Sequence, residues 1–80
     1  MTEAHRRLLW RCRRGMKELD LLLERFVRER YAGASILQKQ AFAQLLELPD
    51  PTLADYFFGH AIPPEPQFVE LTRLITAPRV

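Results

Sequence analysis

Apolar side chains recur along most of this chain at the spacing of a helix, and no segment alternates as a strand would. The longest periodic stretch holds Met16, Leu19, Leu22, Leu23, Phe26 and Val27 on one line that Arg30 extends, with Lys17, Asp20, Glu24, Arg25, Arg28 and Glu29 on the other side. The i, i+3, i+4, i+7 pattern predicts a central helix over about residues 16 to 31. Ahead of it, Thr2 can cap a helix over about residues 3 to 13, with Ala4, Leu8 and Cys12 in line, Leu9 beside them, and Arg6, Arg7, Arg11 and Arg14 left outside. Trp10 falls off that line, so it either packs at the edge of the core or is exposed for a partner. The need of a small core for one large side chain favours packing.

After the central helix, Ala32-Gly33-Ala34 reads as its close, and Ser35-Ile36-Leu37-Gln38 as a capping box opening a third helix whose apolar face is Leu37, Ala41, Phe42, Leu45 and Leu46. Asp50-Pro51 pairs an N-cap with a proline at the first helical position, starting a short fourth helix with Leu53, Tyr56 and Phe57 inward, which Gly59 ends. Residues 60 to 66 carry three prolines and form a stiff connector. A last helix over about 66 to 76 turns Phe68, Leu71, Leu74 and Ile75 to the core, and Pro78 stops it. The predicted fold is all-α, a small single-domain bundle of about five helices over residues 1 to 80.

Composition adds three constraints. An apolar share of 48% is that of a globular chain, so folding without a metal or disulfide is expected. Cys12 is the only cysteine and cannot bridge internally, which makes a reducing compartment, the cytoplasm, the expected setting. The net charge is only +2, yet residues 1 to 14 hold five arginines against one glutamate. Such a cluster suits phosphates or an acidic protein surface, or simply keeps a small domain soluble. No stretch has the 18 or more apolar residues of a membrane span, so membrane insertion is not expected. The arginine-rich start has a mitochondrial presequence's composition but runs straight into the central pattern, so no cleavable segment is expected.

Enzyme chemistry finds no inventory: H-E-x-x-H, C-x-x-C, G-x-S-x-G and phosphate-cradling glycine loops are all missing from the sequence. His5 and His60 are far apart, and neither is expected to bind a metal. Cys12 sits near arginines that would activate it, but its place on the apolar line predicts an inert, buried thiol. Nucleic-acid binding through the basic helix is a lesser alternative, because Glu18 and Asp20 follow directly on the arginines and the candidate recognition helix is largely apolar.

The most specific stretch is Arg14-Gly15-Met16-Lys17-Glu18, followed by Leu19-Asp20. Were it helical, Arg14 and Glu18 would be neighbours on one face, with Gly15 leaving bare backbone beside them for a partner. The alternative is that Gly15 only hinges two helices, with Arg14 and Glu18 an ordinary solvated pair. A helical backbone there would make Gly15→Ala mild or even stabilising.

The run from Trp10 to Asp20, with its R-G-x-x-E core followed by Leu-Asp, resembles the signature of the small succinate dehydrogenase assembly factors, also called flavinylation factors. Leu45-Leu46-Glu47, Asp50-Pro51-Thr52-Leu53 and the aromatic segment after them resemble the family's second block, so the likeness spans roughly residues 7 to 75. Tyr56 stands where that segment usually carries a tryptophan. The resemblance implies a non-enzymatic factor that binds the flavoprotein subunit of succinate dehydrogenase, or of fumarate reductase, and promotes covalent attachment of FAD in the subunit's own active site. It implies no stably bound cofactor, and a partner-binding set of Arg14, Gly15, Glu18, Arg7, Arg11 and Asp20. Bacterial members have also been described as the antitoxin of a toxin–antitoxin pair, which is the alternative function.

Overall fold

The computed structural model describes residues 2–78, in which five α-helices and one 3₁₀ turn follow one another: α1 Glu3–Arg11, α2 Lys17–Glu29, the turn Tyr31–Gly33, α3 Ile36–Leu45, α4 Asp50–Phe57 and α5 Pro66–Thr76. The starts are written in side chains. Thr2 Oγ1 accepts from the His5 amide at 3.1 Å, and Ser35 with Gln38 forms the reciprocal capping box expected of them. Pro51 and Pro66 occupy first-turn positions, where a missing N–H costs nothing. Gly59, at φ +81°, follows α4 and turns the chain away.

Leu19, Leu23, Phe26 and Val27 make α2 the central element, as its period predicts. They meet Ala41, Phe42 and Leu45 of α3, Leu53 and Phe57 of α4, and Phe68, Leu71 and Ile75 of α5 in one cluster that also takes in Cys12 and Leu46. Phe26 and Phe42 lie 4.8 Å apart between ring centroids, and Tyr31 reaches Phe42 at 5.9 Å. Helix α5 packs against α2, α3 and α4 at once. Its C-terminal end is held by Arg25 of α2, whose Nη2 donates to the Ile75 carbonyl at 2.8 Å and the Ala77 carbonyl at 2.6 Å. The radius of gyration, 11.7 Å, is that of a well-packed chain of this length.

Some expectations from the sequence fail. Trp10 is 70% exposed, because α1 touches the core through Leu8, Leu9 and Cys12 alone and turns the indole outward. Leu37 is 77% exposed, since α3 begins outside the bundle and enters it only from Ala41. Glu24, on the polar side of α2, has its carboxylate 4.0 Å from Arg13 of the preceding loop.

Candidate functional site: the loop between the first two helices

The R-G-x-x-E stretch is not a continuous helix. α1 ends at Arg11, α2 begins at Lys17, and Gly15 between them has φ +86°, a conformation that favours glycine. Arg14 and Glu18 are therefore not helical neighbours, and they make no ion pair. An added Cβ at Gly15 would have nothing within 4 Å, so the glycine answers to its backbone conformation and not to crowding within the domain.

Arg14 turns inward, its side chain only 17% exposed. Its Nη2 donates to the carbonyls of Leu46, at 2.5 Å, and Leu48, at 3.1 Å, which lie where α3 ends. Its Nε lies 3.2 Å from Asp50 Oδ1 at the start of α4, without the alignment of a hydrogen bond, so that contact is Coulombic. One guanidinium thus satisfies helix-terminal carbonyls and faces the first-turn carboxylate of the next helix, the arrangement its fork geometry suits. Asp20 locks the loop from the other side: Oδ1 accepts from the Arg14 amide at 2.8 Å and Oδ2 from the Gly15 amide at 3.4 Å. Placing that carboxylate in the first turn of α2 also favours the helix dipole.

Glu18 is what this framework presents. It is exposed, with no hydrogen bond or ion pair among the described residues, and it lines a shallow depression of about 350 Å³ with Met16, Lys17, Leu19 and Phe58. Arg11 pairs with Glu47 at 3.0 Å and Arg7 with Glu3 at 3.6 Å, both on the surface. The six residues expected to act together thus divide: Arg14 and Asp20 shape the loop, Gly15 allows its turn, Glu18 is displayed, and Arg7 and Arg11 lie along α1. Sequence spacing missed the part played by Leu46, Leu48, Asp50 and Phe58. The signal lay in the second block, since Leu45-Leu46-Glu47 and Asp50 supply partners to Arg14 and Arg11, so the two blocks are halves of one contact.

Cys12 lies at the base of this loop, fully buried. Burial pushes its thiol up to about 12, with Glu24 adding to the rise and Arg14 opposing it. The nearby arginines do not activate it. Native protein at pH 8 is expected to resist alkylation by iodoacetamide until unfolded, and rapid labelling of the folded state would contradict this. Because the folded thiol holds its proton more tightly than an unfolded one, its contribution to stability is intact below pH 9 and falls as pH rises toward 12.

Among the described residues no group of histidine, cysteine and carboxylate side chains could hold a metal ion, and no helix is long and apolar enough to cross a membrane. The family model described as flavinator of succinate dehydrogenase matches residues 6–78. The FAD assembly factor SdhE of Coxiella burnetii is 44% identical over 72 residues, 90% of this chain and 88% of that protein. Those of Shewanella oneidensis and Legionella pneumophila are each 44% identical, over 91% of this chain and 85% of the first protein, and over 86% of each chain for the second. The chain belongs to the family of flavinators of succinate dehydrogenase.

Proposed function

We propose that this chain is a non-enzymatic assembly factor that binds the flavoprotein subunit of succinate dehydrogenase in the cytoplasm and promotes covalent attachment of FAD to it. Family membership and relatives named as FAD assembly factors support this reading over the antitoxin one. The observation that carries it to a site is Glu18, displayed without a partner beside the open backbone of Gly15 on a loop fixed by Arg14 and Asp20. A carboxylate held this way can take a charge-assisted hydrogen bond from the flavoprotein, and the bare glycine lets the partner's backbone approach. FAD is the partner's cargo in this scheme. The factor acts by binding the attachment-competent arrangement of the flavoprotein more tightly than the others, which shifts its population.

Nucleic-acid binding is disfavoured by the charges. The five arginines in residues 1 to 14 have four carboxylates within 4.0 Å, Glu3 serving both Arg6 and Arg7, so most of the positive charge is compensated locally and no continuous basic track is left for phosphates.

Covalent flavin survives a denaturing gel, so co-expression with the flavoprotein subunit followed by in-gel fluorescence tests the proposal. Fluorescence should rise with the wild-type chain and fall back with Glu18→Ala. The melting temperature of Glu18→Ala should stay close to wild type, because an exposed side chain without partners changes stability by no more than about 0.5 kcal/mol. Equal fluorescence with and without the wild-type chain would overturn the function.

A further inference from the structure

A second surface of the molecule is unused by the loop. On the other side of Arg13, α1 and α2 enclose a groove of about 210 Å³ lined by Arg6, Leu9, Trp10, Arg13, Glu24 and Arg28. Its wall is the indole of Trp10, 70% exposed and capped by the Arg13 guanidinium 5.2 Å from the ring centroid. Its far rim is Arg28, exposed and without an ion pair or hydrogen bond among the described residues. Glu24 is the one carboxylate in the lining, against three guanidinium groups. Tryptophan and arginine are both among the residues enriched at binding hot spots, and here they offer large rigid area and a cation together.

We infer that this groove is a second contact for the flavoprotein, receiving a segment that carries one apolar side chain beside a carboxylate. The inference rests on the proposed function and names a further surface for the same partner. The apolar side chain would cover the indole and Leu9, while the carboxylate would reach Arg28. Charge decides in favour of a protein segment over a nucleic-acid strand: Glu3 lies 3.4 Å from Arg6, which shares it with Arg7, and Glu24 4.0 Å from Arg13, leaving Arg28 as the lining cation with no carboxylate paired to it among the described residues. One free cation beside an indole matches a local carboxylate with an apolar neighbour, whereas a phosphate backbone requires a continuous basic track.

The test is a titration of the purified flavoprotein subunit with the full chain and its Trp10→Ala, Arg28→Glu and Glu18→Ala variants at two salt concentrations, alongside their melting temperatures. Trp10→Ala should weaken binding about thirtyfold and Arg28→Glu about tenfold, with melting temperatures close to wild type because both side chains lie outside the core. Arg28→Glu should also flatten the salt dependence. If wild type binds and Glu18→Ala does not, while Trp10→Ala and Arg28→Glu bind as wild type, the groove is not a contact and the proposed function stands. If wild type fails to bind at all, the proposed function falls and this surface with it. Random single-stranded RNA serves as the control probe; RNA binding with a steep salt slope, lost in Trp10→Ala, would reassign the groove and overturn the inference.

Discussion

Gly15→Arg is expected to abolish flavin attachment while leaving a folded helical domain. At φ +86° any L side chain is strained, and the cost is about 1–2 kcal/mol. Nothing lies within 4 Å of the Cβ position, so the free protein has room for the arginine and should melt roughly 5–10 °C lower without losing its helices. On the proposed docking the partner would not have that room, because the new side chain would fill the space through which the flavoprotein is proposed to approach the loop. Gly15→Ala separates the two effects. It carries the same backbone strain and almost none of the bulk, so it should lose the same stability while keeping most of its binding. A glycine in a helix would have gained stability from alanine, and the positive φ reverses that sign. Circular dichroism melts with pull-down of the flavoprotein check both variants; a folded Gly15→Arg chain that still supports wild-type fluorescence would remove this loop from the interface.

The second large effect belongs to Arg14, and it falls on stability first. Arg14→Ala removes the hydrogen bonds to the Leu46 and Leu48 carbonyls and leaves Asp50 without its counter-charge. Removing the charged partner of a part-buried cluster that holds two carbonyls costs about 2–4 kcal/mol. In a domain of this size that lowers the melting point by roughly 10–20 °C. Arg14→Lys keeps the charge but not the fork, and should fall between the two. A double-mutant cycle with Asp50→Asn is expected to show coupling, because the two side chains meet directly. Cooled until it is fully folded, Arg14→Ala should regain part of its affinity for the flavoprotein, whereas Glu18→Ala should regain none. Wild-type stability in Arg14→Ala would mean that the inward contacts are idle and that the guanidinium acts on the partner itself.

The contrast between these two residues shows what sequence spacing carries. Local periodicity found Leu19, Leu23, Phe26 and Val27, because the inward side of a central helix follows from 3.6 residues per turn alone. The same argument misplaced Leu37, which is periodic with a face that the bundle does not cover at that point, and Trp10, off the periodic line, was misplaced by the separate expectation that a small core takes in its one large side chain. Arg14 escaped it altogether: its partners lie more than 30 positions away and meet it only after α2 and α3 have folded back. Spacing could pair Arg14 only with Glu18, a residue it does not touch. The positive φ at Gly15 was likewise hidden, because glycine as a hinge and glycine as a docking gap are written with the same letter.

Helix α5 has a consequence in time. It closes the core against three other helices through Phe68, Leu71 and Ile75, and Arg25 holds its end near residue 77, some fifty positions from its own. A nascent chain that has not yet delivered this segment leaves the matching faces of α2, α3 and α4 wet, so cooperative closure waits until synthesis has passed Ala77. Ribosomes add about 5–20 residues per second, and small helical domains fold in microseconds to milliseconds, so closure then follows at once.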